Sequence, residues 1–160
     1  MWKSIGLREP LNLEIMLLGG QSFRWKKQHS GSDGDNYHPF FSGVAFGVAW
    51  ELKCDENTLY YNVKGDVTSE TSDYASLLED YFQLKIDLTP LIDSWCKIDE
   101  NIAKLKQQYS GIRILRQDPL ECLFAFICSS NNNIPRISSL VEKLCSNFGD
   151  AITVISSDSV

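Results

Sequence analysis

The feature that most constrains this chain is an apolar stretch over residues 120–127 that stops at Asn131-Asn132-Asn133, followed by a second periodic stretch after Pro135. Asparagine ranks poorly in helix interiors and hydrogen-bonds its own backbone, so three in a row mark a turn. The segment therefore reads as helix, turn, helix. In Asp118-Pro119-Leu120-Glu121 an N-cap, a first-turn proline and a capping-box acid occur together, which predicts a helix from here through Ile127. The second helix carries Ile137, Leu140, Val141, Leu144 and Phe148 on one stripe, with Pro135 in its first turn and Gly149 positioned to end it. One asparagine suffices to cap a helix, and three exceed that need. An Asn amide both donates and accepts, and Arg136 adds a fork of donors, a pairing that suits the edges of nucleic-acid bases. An ordinary capped helix-helix turn is the alternative.

Upstream the pattern changes from helical to alternating. Leu11, Leu13, Ile15 and Leu17 alternate with Asn12, Glu14 and Met16, which predicts a half-buried strand that Gly19-Gly20 then turns. A second strand region runs from about Phe40 to Lys53, with Gly43 and Gly47 as candidate bulges. Leu59, Tyr60, Tyr61 and Val63 form a third, after a turn at Cys54-Asp55-Glu56-Asn57. An antiparallel meander is the economical arrangement. The polar stretch over residues 28–36 reads as a loop. Helical spacing begins near Tyr74 with Leu77, Leu78, Tyr81 and Phe82 on one face, then recurs in Leu91, Ile92 and Trp95 and in Ile102 and Leu105. The fold class is α+β, an antiparallel sheet with helices, and the natural division lies near Gln117.

With 160 residues and 43% hydrophobic content, the chain can bury a core. No apolar run approaches a membrane span and the first residues lack the regions of a signal peptide, so the expectation is a soluble intracellular protein with no membrane partner. Five cysteines, odd in number and without Cys-x-x-Cys spacing, argue against zinc and against a disulfide framework. A formal charge of −6 is awkward for a nucleic-acid binder, because phosphate neutralisation by Lys and Arg supplies most non-specific affinity. The charge is uneven. Residues 1–100 hold 9 Lys and Arg against 16 Asp and Glu, a net −7, whereas 101–160 hold 6 against 5, a net +1. Within residues 101–117, Lys104, Lys106, Arg113 and Arg116 have no acid between them, a local +4 that either tracks a DNA backbone or is a solvated face.

Three segments taken together carry a family likeness: Gly20-Gln21-Ser22-Phe23-Arg24-Trp25, Gly111-Ile112-Arg113-Ile114-Leu115-Arg116-Gln117-Asp118-Pro119, and the asparagine run with Arg136. In order and spacing they resemble the 8-oxoguanine DNA glycosylase family. The likeness is nearly continuous over residues 111–149 and loose from Lys26 to about Glu70. It implies a TATA-binding-protein-like α+β domain over residues 1–117. Residues 118–160 then form the first two helices of an all-helical helix-hairpin-helix glycosylase domain that is cut off. The implied activity is base-excision repair, removal of 8-oxoguanine opposite cytosine with associated AP lyase cleavage. Its partner is double-stranded DNA carrying that pair, and no cofactor is required. A monomer and a nuclear address, with a mitochondrial one as the alternative, also follow from the likeness.

An enzyme that acts on a base takes it out of the stack, and the orphaned partner must be satisfied. In the family, the residues matching Asn131 and Arg136 contact the estranged cytosine, whose N3 and O2 accept and whose N4 donates. The glycine matching Gly20 turns its carbonyl toward the N7 position, which accepts in guanine and carries hydrogen in the 8-oxo form. Only a glycine lets backbone come that close. Gln21, Phe23 and Trp25 read as structural. The family's nucleophilic lysine and its aspartate are expected beyond Val160, so no catalytic residue is assigned to this chain. Lys104, Lys106 and Lys143 match no part of that motif, Asp150 and Asp158 lack the hairpin that would place an acid, and Cys128 and Ser129 have no histidine near in sequence. The rival expectation is a short, catalytically inactive DNA-binding or regulatory isoform.

Overall fold

The computed structural model describes residues 1–29, 39–64, 73–106 and 109–152. Most of the expected polar loop lies outside them, as does Asp158. Five strands form one antiparallel sheet: β1 (Lys3–Gly6), β2 (Trp25–Gln28), β3 (Phe40–Ala45), β4 (Val48–Cys54) and β5 (Thr58–Lys64), in the order β1-β5-β4-β3-β2. Helix α1 (Leu13–Leu18) precedes β2, and α2 (Tyr74–Tyr81), α3 (Thr89–Ile98), α4 (Glu100–Leu105), α5 (Pro119–Ser129) and α6 (Ile134–Phe148) follow the sheet. No helix among the described residues is long and apolar enough to cross a membrane.

Three sequence expectations are corrected. Residues 11–17 were expected to form a strand, but α1 begins at Leu13, with the Asn12 side chain accepting from the Ile15 amide. Leu13, Met16 and Leu17 are the buried residues, at the i, i+3, i+4 spacing of a helix, because apolar Met16 belongs to the buried face and not to a polar one. The region from Phe40 to Lys53 is two strands, joined at Phe46-Gly47, where both residues take positive φ (53° and 70°), as a two-residue hairpin turn of the primed type requires. Gly43 is not a bulge either. It pairs in register with Trp25 on one side and Trp50 on the other, and a Cβ there would sit 2.5 Å from the Trp25 indole. Strand β1 was not foreseen, since only Ile5 of its four residues is buried and alternation has nothing to repeat.

Two cores result. Helices α1 and α2 cover one face of the sheet and enclose Met16, Leu17, Trp50, Leu52, Leu59 and Phe82. Trp25 joins this core, its indole N–H donating to the Tyr81 hydroxyl at 3.0 Å. A second, smaller core holds Phe23, Ala125, Ile137 and Val141 between α5, α6 and the approach to β2. Phe23 and Trp25, two residues apart, thus enter different cores. The expected α6 stripe is only half used: Ile137 and Val141 are buried, while Leu144 and Phe148 are exposed, Phe148 to 85%. Helix α5 likewise leaves Leu120, Leu123, Phe124, Phe126 and Ile127 exposed.

Candidate nucleic-acid interface

Helix α5 starts where its sequence demands. Asp118 Oδ1 accepts from the amides of Leu120 and Glu121, both at 2.9 Å, satisfying donors that the first turn leaves unpaired. The expected reciprocal half of a capping box is absent, because the Glu121 carboxylate lies 3.4 Å from Arg24 Nη1 instead. Burial pushes the Glu121 carboxyl above its usual range, and the Arg24 guanidinium offsets only part of that rise. The helix runs two residues beyond Ile127, to Ser129.

The three asparagines then divide the work of the turn. Asn132 closes α5, its Nδ2 donating to the Cys128 carbonyl at 2.9 Å. Asn133 opens α6, its Oδ1 accepting from the Arg136 amide at 3.1 Å, while its own amide donates to Asn132 Oδ1 at 3.0 Å. Asn131 does neither. It holds a left-handed backbone (φ 48°), its side chain is exposed, and no hydrogen bond engages that side chain among the described residues. The Arg136 side chain is exposed and has no ion pair among them either. Two residues five positions apart, Asn131 in the turn and Arg136 in the first turn of α6, thus present unspent donors and acceptors.

Gly20 comes to the same place from the other end of the sequence. Its φ is +93°, a conformation other residues rarely adopt, and a Cβ built on it would meet Ile134 Cδ1 at 3.3 Å. Ile134 is the first residue of α6. The 20–25 segment is fixed residue by residue. Gln21 bonds the 113–117 segment, Phe23 packs edge-on against Phe126, Arg24 meets Glu121 and Trp25 bonds Tyr81.

The basic stretch fares differently. Arg113 is buried, and its guanidinium donates to the carbonyls of Gln83 and Ile86, both at 2.8 Å, and to Glu9 Oε2 at 2.6 Å. This corrects its expected place on a DNA backbone: Arg113 is a clamp inside the α+β unit. Lys106 pairs with Asp93 at 2.6 Å and Arg116 with Asp80 at 3.0 Å, both on the surface. Lys104 is exposed and has no ion pair among the described residues. The acids that neutralise this stretch come from distant positions, which its local sequence does not disclose. Glu9 was missed for the same reason. Burial raises its carboxyl, but hydrogen bonds from the Thr89 hydroxyl and the amides of Leu88 and Thr89 prevail and bring it from 4.5 to about 2.

Residues 5–123 match the family model described as 8-oxoguanine DNA glycosylase, N-terminal domain. The chain belongs to this family. An N-glycosylase/DNA lyase of Saccharomyces cerevisiae is 38% identical over 150 residues, which cover 92% of this chain and 39% of that protein. Among solved structures, MBOgg1 in complex with a low-affinity DNA ligand superposes with a TM-score of 0.79 at 30% identity, over 99% of this chain and 49% of that one. The Clostridium acetobutylicum 8-oxoguanine glycosylase/lyase, in complex with double-stranded DNA containing cytosine opposite 8-oxoG, gives 0.61 at 29% identity, over 85% and 45%. The chain thus spans less than half the length of each of these relatives.

Proposed function

We propose that this chain is the damaged-DNA-reading part of an 8-oxoguanine DNA glycosylase with AP lyase activity, acting in base-excision repair. Gly20 reads the lesion, and Asn131 and Arg136 satisfy the cytosine left behind when the damaged base is taken out of the stack. The observation that carries this is the packing of Gly20 on Ile134, which brings a glycine 111 positions from Asn131 to the start of the helix bearing Arg136. The DNA complexes among the structural relatives support the same reading. Residues 118–160 are taken as the first part of the helical glycosylase domain. The apolar residues that α5 and α6 leave exposed support packing against more protein. Lys104, Lys106 and Arg116, exposed cations of the basic stretch, are the candidates for backbone contact.

Glycosidic cleavage with lyase action needs an amine nucleophile and an acid, and this account assigns neither to residues 1–160. The chain's own part is to bind, to orient the lesion and to fill the place it leaves. Binding of the full-length protein to duplexes carrying 8-oxoguanine paired with each of the four bases tests the proposal. Tightest binding opposite cytosine, lost on Arg136→Ala, is the expected result. Equal affinity for damaged and undamaged duplexes would refute it.

A further inference from the structure

A carbonyl that reads one base against another must be held in place, yet Gly20 is the residue type least able to hold itself. On its amino-terminal side the chain is anchored by Gly19, whose amide donates to the Ile15 carbonyl at the end of α1. On the other side the 20–21 peptide plane is held by what holds Gln21. The Gln21 side chain spends both ends of its amide on one neighbouring segment: Nε2 donates to the Arg113 carbonyl at 2.9 Å and Oε1 accepts from the Leu115 amide at 2.9 Å. The Gln21 carbonyl accepts from Gln117 Nε2 at 2.6 Å. Three hydrogen bonds thus tie one residue to the stretch that leads into Asp118 and α5.

From this geometry we infer that Gln21 and Gln117 are positioning residues for lesion recognition: together they set the direction of the Gly20 carbonyl and lock it to the start of α5, the helix that leads into the turn bearing Asn131. The inference rests on the reading of Gly20 given above. Gln21 acts through its backbone neighbour and touches no base. A side-chain amide is needed because the 113 carbonyl and the 115 amide point the same way from one strand-like segment, and only a group that both donates and accepts satisfies them together. A carboxylate in its place faces the Arg113 carbonyl with an acceptor, leaving two acceptors opposed. Gln117 is half-buried and its bond is single, so its removal loosens the Gln21 carbonyl without opening the core.

The test uses the full-length protein and three duplexes, with 8-oxoguanine, guanine or a tetrahydrofuran abasic analogue opposite cytosine. Gln117→Leu and Gln21→Glu should each lower the preference for 8-oxoguanine over guanine by about tenfold, as loss of a positioned hydrogen bond allows. Affinity for the abasic duplex, which offers no base to read, should stay within about twofold. Gln117→Asn, which restores a donor on a shorter stem, should recover part of the preference. An undiminished preference in both variants, or an equal loss on all three duplexes, overturns the inference and makes the pair merely structural. Gly20→Ala run beside them separates the two levels. If it leaves the preference intact, the reading of Gly20 fails and the positioning role fails with it; if it abolishes the preference while both Gln variants keep it, only the positioning role fails.

Discussion

Gly20 and Ile134, 114 positions apart, lie so close that a methyl group on the glycine would stand 3.3 Å from the isoleucine Cδ1. That contact joins the turn after α1 to the start of α6, and with it the two ends of the proposed reading face. Gly20→Ala meets both the crowding and a left-handed φ, worth about 1–2 kcal/mol for a residue with a Cβ. Choice of 8-oxoguanine over guanine should fall more than binding to undamaged duplex, measured by competition between the two. A uniform loss would make Gly20 a folding residue.

Arg136→Ala should cost about 1–3 kcal/mol of discrimination for cytosine opposite the lesion, the usual worth of a good base-edge contact. Excision by the full-length protein against 8-oxoguanine paired with each base is the measurement. Relaxed preference with largely retained binding is expected, because the fold around Arg136 depends on its amide, held by Asn133, and not on its side chain.

The hydrogen bonds that the Thr89 hydroxyl and the amides of Leu88 and Thr89 donate to Glu9 predict an acid limb to stability. The Glu9 carboxyl sits near 2 when folded, against an ordinary 4.5, so its contribution is full above about pH 4.5 and is lost as pH falls through about 2. At about 1.4 kcal/mol for each unit, a depression of about 2.5 units corresponds to about 3.5 kcal/mol, which solvent screening at the partly open carboxylate cuts to on the order of 2–3 kcal/mol. Glu9→Gln should lower the melting temperature at pH 7 and flatten its decline between pH 4.5 and 2. Thermal unfolding followed across that range checks the sign as well as the size.

How much of this was legible in the sequence depended on whether a residue's partner was local. Asp118 and Gly149 cap helices through neighbours a few positions away, and they fall where the pattern put them. Residues 11–17 fit two periods at once, and the deciding fact, that Met16 turns inward, belongs to the packing. Within the basic stretch Arg113 was misjudged because it finds Glu9 at a separation of 104 residues, and the partners Asp80 and Asp93 reach Arg116 and Lys106 from other helices. Gln21 read only as structural, without its partners, since these are backbone groups of a segment that no periodicity ties to it. Among the asparagines the sequence reading allowed one for capping and left two over. The structure uses two and leaves Asn131 over.

The 160-residue chain by itself should form no borohydride-trapped adduct on a lesion-containing duplex, since none of its lysines is assigned as a nucleophile. Weak binding that falls steeply with salt is the expected residue of function. A trapped adduct mapping to Lys104, Lys106 or Lys143 would put an active amine inside this chain.

The account turns on one face built from two distant segments. Hydrogen–deuterium exchange of the full-length protein, free and bound to a duplex with 8-oxoguanine opposite cytosine, tests that most directly. Slowed exchange in peptides covering residues 19–24 and 130–137 together, greater than with an undamaged duplex, is the predicted result. Exchange at residues 130–137 that matches the free protein while DNA is bound would contradict it.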